Sequence, residues 1–159
     1  MHFELLTNLM PSLATNKKAR FDYEILETFE AGIVLSGQEV KSAKAGQVSL
    51  ASSYVVVDSR RNLNLLNATI SAYKMAGPLP NYDPGHSRKL LMHRKEIDYL
   101  AGKIQQSGLT IVPLSLYTQH NKIKLEIGLA RGKKKYDKRQ TIQKRDDQRQ
   151  IRRLLKTKM

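Results

Sequence analysis

Lys122 to Leu129 carries the cleanest pattern in the chain. Ile123, Leu125, Ile127 and Leu129 alternate with Lys122, Lys124 and Glu126, the period of a strand with one face buried. Phe21, Tyr23 and Ile25 alternate in the same way, and after an interruption at Glu27 and Thr28 so do Phe29, Ala31, Ile33 and Leu35. That shift predicts one long strand with a bend or bulge. Tyr54–Val57 and Leu63–Leu66 flank the polar run Asp58–Asn62 and predict a hairpin that Asn67–Tyr73 continues. Thr110–Tyr117 is a further strand, in which Pro113 requires an edge or a bulge.

Two helices interrupt the strands. Ser36 and Glu39 have capping-box spacing, and Gly46 stands where a short helix would stop. His93, Ile97, Leu100 and Ile104 fall at i, i+4, i+7 and i+11, an amphipathic helix ended by Gly108. Residues 74–88 hold three prolines and two glycines and read as a long irregular loop. Residues 1–15 read as a poorly ordered leader. The pattern therefore predicts a mainly β protein with short helices, an oligonucleotide-binding (OB)-type β-barrel over residues 16–130.

Charge adds a second part to that picture. Residues 1–130 hold 15 Lys/Arg against 11 Asp/Glu, and residues 131–159 hold 13 against 3, within a chain of net charge +14. A surplus so localised points to a polyanion. Residues 131–159 form a basic C-terminal tail with too few apolar residues for a core or a lipid-facing stripe. Arg145/Arg149 and Arg149/Arg153 repel at helical spacing. The tail is therefore expected to be disordered when free and helical when bound along a polyanion. No run approaches a spanning helix and no leader resembles a signal peptide, so the expectation is a cytoplasmic protein without a membrane partner, and a monomer.

Candidate chemistry is sparse. There is no cysteine, and His2, His86, His93 and His120 lack metal-ligand spacing, so no metal and no cofactor are expected. Gly128-Leu-Ala-Arg-Gly132-Lys133 follows a strand as a phosphate loop would. It has three residues rather than four between its glycines and no hydroxyl after the lysine. The reading is a binding protein, not an enzyme. Tyr136, set among cations, offers a base-stacking platform worth about 1–3 kcal/mol if used; the plainer alternative is an exposed tyrosine.

Four segments carry a family resemblance: Asn16–Arg20 (NKKAR), Phe29–Ser42 (FEAGIVLSGQEVKS), Arg88–Ile97 (RKLLMHRKEI) and Gly132–Arg139 (GKKKYDKR). In this order over residues 16–139 the chain resembles the SsrA-binding proteins, the small protein B family. The resemblance implies an adaptor of trans-translation. Such an adaptor binds the tRNA-like domain of transfer-messenger RNA, delivers it to stalled ribosomes for rescue, and places its tail in the decoding centre and the empty message channel.

Carried over by position, the barrel's RNA contacts would include Asn16, Lys17, Arg20, Glu30, Leu91, His93 and Lys124, with Arg88 and Lys89 nearby. In the tail, Tyr136 would stack on a decoding-centre base and Asp137, Lys138 and Arg139 would secure accommodation. Arg131 belongs with this tail set, and Lys133 and Lys134 would meet phosphates of small-subunit ribosomal RNA. The chain departs from the family pattern at Thr69, where a histidine is usual, and in the less basic Asp83–Ser87 loop. Two other readings compete with the rescue adaptor: a general translation factor on the same barrel, and an RNA-processing enzyme, which would need a carboxylate–metal cluster.

Overall fold

The structure is a computed structural model that describes residues 11–106 and 108–157, and only the backbone of Lys135 and Tyr136. Nine strands and four α-helices are described: β1 (Ser12–Thr15), α1 (Lys17–Asp22), β2 (Tyr23–Ile33), α2 (Gly37–Lys44), β3 (Val48–Ser49), β4 (Tyr54–Val57), β5 (Leu63–Leu66), β6 (Thr69–Ile70), β7 (Arg88–Leu91), α3 (Arg94–Ile104), β8 (Leu109–Gln119), β9 (Lys122–Gly132) and α4 (Lys135–Thr157). The protein is mainly β with a few helices, as its alternating pattern predicts.

Three strands of eleven residues, β2, β8 and β9, form the frame. All ladders are antiparallel. β9 pairs β2 from Tyr23↔Gly132 to Gly32↔Lys124, and pairs β8 from Leu109↔Arg131 to Gln119↔Lys122. β4 and β5 form the predicted hairpin, β7 joins β5 to β2, and β1 adds to β8. β4 returns to β8 through a single residue pair, Val55↔Ile111. β3 and β6 form a separate two-stranded sheet.

Both predicted irregularities are present. The β2 register slips between Ile25 and Glu27, and that of β8 between Pro113 and Ser115. Each slip adds a residue on one strand and turns the following side chains to the other face. Inside the sheet, Leu63, Leu65, Leu90, Ile111, Leu116, Leu125, Ile127 and Leu129 are buried in one cluster with Leu100 of α3. Each such side chain contributes about 1.5–3 kcal/mol relative to exposure. Before the β2 bulge, Ile25 faces the opposite side and packs with Tyr23, Ala19, Val112, Leu114 and Ala130 under α1. Gly128 lies beneath this second cluster; a Cβ there would stand 3.0 Å from Ile25 Cγ2 and 3.1 Å from Leu114 Cδ1.

Several expectations need correction. Residues 12–15, assigned to a poorly ordered leader, form β1, whose ladder with β8 supplies partners that a leader lacks; residues 1–10 lie outside the described residues. Lys17–Asp22 is helical, so Phe21 belongs to a helix rather than to the alternating strand; Asn16 Oδ1 accepts from Ala19 N at 3.1 Å and caps it. β9 runs to Gly132, two residues past the expected boundary. Asn67–Tyr73 holds only the two-residue β6. The tail forms one continuous helix, α4, rich in good helix formers.

Candidate nucleic-acid interface

Outward positions of β2, β8 and β9 lie side by side. Glu30 opposes Glu126 across one ladder and Gly32 opposes Lys124. Tyr117 opposes Lys124 across the other. β7 brings Leu91 against Gly32, whose missing side chain leaves room: a Cβ there would meet Leu91 Cβ at 3.3 Å. α3 then begins at His93. It is held to β2 by the Phe29–Tyr99 ring pair at 6.1 Å and by Tyr99 Oη donating to Glu27 Oε1 at 2.6 Å. The result is an open groove of about 570 Å³ lined by Thr28, Glu30, Gly32, Leu91, His93 and Lys124, among others.

Glu30, Leu91, His93 and Lys124, four of the nine residues assigned to the body's RNA contacts, thus share one surface. Leu91 is 53% exposed and presents an apolar surface to the groove. His93 is exposed at the N-cap of α3 and makes no side-chain capping bond, so it belongs to the groove rather than to the helix's apolar face. Tyr117 donates its hydroxyl to Glu30 Oε2. Burial, and then the neighbouring Glu30 carboxylate, push the Tyr117 hydroxyl well above the usual tyrosine range, so it remains a donor.

The other assignments distribute differently. Lys17 and Arg20 are exposed on α1, and Arg20 reaches Glu126 at 3.7 Å. Lys89 is exposed on β7. Asn16 is buried: besides capping α1, its Nδ2 donates to Pro113 O at 2.9 Å, so the amide anchors α1 to the bulge of β8. It stands at the back of a separate cleft of about 320 Å³ that includes Lys18, Tyr23 and Tyr54 and shares no residue with the groove.

Arg88, expected near the RNA, turns inward. It is 1% exposed and donates to Glu39 Oε2, Ala68 O, His86 O, Tyr82 Oη and Pro84 O, at 2.8–3.3 Å. Five bonds use its five donors. The guanidinium holds the 74–88 loop onto α2 rather than facing a ligand. Burial raises the Glu39 carboxyl's pKa, but bonds from Ser36 N and Arg88 outweigh it and leave the group below the usual carboxylate range.

The tail leaves the sheet beside α1. Lys133 N donates to Asp22 O at 2.9 Å, Lys138 Nζ pairs with Asp22 Oδ1 at 3.2 Å, and the Arg145 guanidinium sits 5.4 Å over the Phe21 ring. Arg131, Lys134 and Arg139 are exposed, and Asp137 is exposed in the first turn of α4, where the helix dipole favours an anion. The Tyr136 side chain lies outside what the structure describes.

Sequence reasoning missed Gly32, which lines the groove, and Tyr117 and Gln119, which bond to the Glu30 carboxylate. Their alternation was readable, but the register that brings three strands' outward positions together was not. It also missed Phe21 and Asp22 as the seat of the tail. Among the described residues no three His, Asp or Glu side chains cluster as metal ligands, and no helix is long and apolar enough to cross a membrane.

Comparison with known proteins gives a consistent answer. The model of the SmpB protein family matches residues 13–157. An SsrA-binding protein of Acaryochloris marina is 52% identical over 144 residues, 91% of this chain and 93% of the relative. One from Chloroflexus aggregans is 48% identical over 154 residues, 96% of each chain. A chain in a solved structure described as "tmRNA-SmpB: a journey to the center of the bacterial ribosome" is 44% identical, with a TM-score of 0.64, over 80% of this chain and 92% of that one. The chain belongs to the SmpB protein family.

Proposed function

We propose that this protein is the RNA-binding adaptor of trans-translation: it binds the tRNA-like domain of transfer-messenger RNA and delivers it to stalled ribosomes. The observation that carries the reading is the groove. Residues as far apart in sequence as Glu30, Leu91, His93 and Lys124, each assigned to RNA by resemblance, line one surface. Family membership and the relatives' names support the same partner, and the solved relative's description joins it to the bacterial ribosome. The activity is binding rather than catalysis, and its setting is the cytoplasm.

The body, residues 16–130 with the flanking strand ends, acts as an OB-type barrel. The chain of ladders β8–β4–β5–β7–β2–β9, which returns to β8, supports that architecture. The tail is the ribosome-sensing part, entering the decoding centre and the empty message channel. Lys133 and Lys134 meet ribosomal RNA phosphates there, Tyr136 stacks, and Asp137, Lys138 and Arg139 secure accommodation. Its net charge, 13 cations to 3 anions over residues 131–159, supports a polyanionic destination. The helix is marginal in the free protein and is completed along RNA.

Sequencing the RNA that co-purifies with the full-length protein tests the proposal. Enrichment of one RNA with a tRNA-like acceptor end is the expected result. A broad ribosomal profile would instead assign a general translation role.

A further inference from the structure

Asn16 has the amide that a neutral RNA contact would use, yet it is 4% exposed and bonds to the protein instead. Its backbone N donates to Leu114 O at 2.8 Å and its Nδ2 to Pro113 O at 2.9 Å, so two consecutive carbonyls at the β8 bulge hold it. Its Oδ1 accepts from Ala19 N at 3.1 Å. The side chain is thus shared between the sheet and the first turn of α1.

α1 depends on such a clamp. It has six residues and buries only Ala19, and a helix that short does not persist on propensity alone. Lys17, Lys18 and Arg20 stand exposed on it, with Lys17 and Arg20 at i, i+3, where like charges repel. The C-terminal end is closed by Lys133, whose N donates to Asp22 O at 2.9 Å and whose Nζ donates to Arg20 O at 3.4 Å. At the first turn the capping side chain is that of Asn16. An alanine at position 16 would leave Ala19 N and Pro113 O without these partners, and the turn that carries Lys17 would fray. Arg20 stays available to a phosphate, because its pair with Glu126 at 3.7 Å is exposed and weak.

We infer that Asn16 is a positioning residue for RNA binding: it touches neither base nor phosphate, and it holds α1 on the β8 bulge so that Lys17 and Arg20 present their charges together. This rests on the RNA-binding reading proposed above and replaces the direct contact that family resemblance assigns to Asn16. The consequence is distinctive because Asn16 is uncharged. Removing a neutral group that contacts RNA weakens binding alike at every salt concentration. Removing one that arrays two cations also lowers the number of counterions released, and so flattens the salt dependence.

The test is the affinity of the full-length protein for the tRNA-like domain of transfer-messenger RNA, measured from about 50 to 200 mM salt. Asn16→Ala should weaken binding and make the slope of log K against log salt shallower by about 1–2, as Lys17→Gln combined with Arg20→Gln does. In the background of those two cation variants, Asn16→Ala should cost little further affinity. Fewer folded molecules lower the amount bound at every salt concentration without changing the slope, so instability alone does not mimic the result. Weaker binding with an unchanged slope, a loss that adds in full to that of the cation variants, or an Asn16→Ala protein that binds as tightly as the unsubstituted one would overturn the inference. Asn16→Ser, which keeps a capping oxygen and loses the bond to Pro113 O, serves the same comparison if the alanine variant does not fold. Failure of the unsubstituted protein to bind this RNA defeats the adaptor reading itself, whereas binding with an unaltered slope in Asn16→Ala defeats only the role given to Asn16.

Discussion

Arg88 and Glu39 show how a residue assigned to a ligand can belong to the fold. Both are almost fully buried, and their ion pair at 2.8 Å ties the 74–88 loop to α2. Removing one member leaves the other buried and unpaired, so Arg88→Met should cost about 3–5 kcal/mol in urea unfolding, with much of it recovered when Glu39→Gln is added. The pair also sets an acid limb. Glu39's folded pKa lies below its ordinary value of 4.5. The stability it contributes is therefore present above that value and lost as pH falls through the lower one. Unfolding midpoints should drop on acidification below pH 4.5, and Glu39→Gln should flatten that limb. The sequence marked Glu39 through its capping-box spacing with Ser36, which is local. It could not mark Arg88 as buried, because Arg88 lies 49 positions away from Glu39 and meets it only through tertiary packing.

At the scale of elements, legibility followed the balance between local pattern and long-range support. β9 was readable residue by residue because its outward lysines and glutamate alternate with a buried aliphatic row. α1 was not: six residues bury only Ala19, and Phe21, Tyr23 and Ile25 overlay a strand-like alternation on it. Its support comes from the second cluster and the Gly128 floor. Gly128→Ala would press a methyl group into Ile25 and Leu114, so a loss of about 1–3 kcal/mol is expected in thermal or urea unfolding. α4 stands at the opposite extreme. Ile142, Ile151, Leu154 and Leu155 are all about half exposed or more, so little packing supports the helix beyond its first turns. Arg145/Arg149 and Arg149/Arg153 each cost about 0.2–0.5 kcal/mol, and the Asp146–Arg149 pair at 3.9 Å returns little. Circular dichroism of a 131–159 peptide should show weak helicity at physiological salt and a clear rise on adding RNA. Strong helicity without RNA would remove the conditional part of the proposal.

At the scale of the whole molecule, the sheet bears the groove and the C-terminal tail bears most of the surplus charge. The division falls where β9 ends at Gly132. Deleting everything after Gly132 removes no strand pairing; it takes away the Lys133 N–Asp22 O bond, the Lys138–Asp22 pair and the Arg145–Phe21 contact. Exposed contacts of this kind are worth about 0–1 kcal/mol each, so the truncated body should unfold close to the full-length midpoint. The groove residues Glu30, Leu91, His93 and Lys124 all lie before the cut. On the proposed reading the truncated protein therefore retains transfer-messenger RNA while failing to tag peptides on stalled ribosomes. Salt dependence separates the two parts further. If roughly 6–10 cations of the full chain meet phosphates on the ribosome, affinity there should fall on the order of 10³–10⁵-fold between 50 and 200 mM salt. The truncated body, with a net +5 over residues 1–132, should show a shallower slope for its own RNA. Collapse of RNA binding on truncation would place α4 in the RNA site itself, and the tail's seat on α1, beside Lys17 and Arg20, would then be the contact to mutate next.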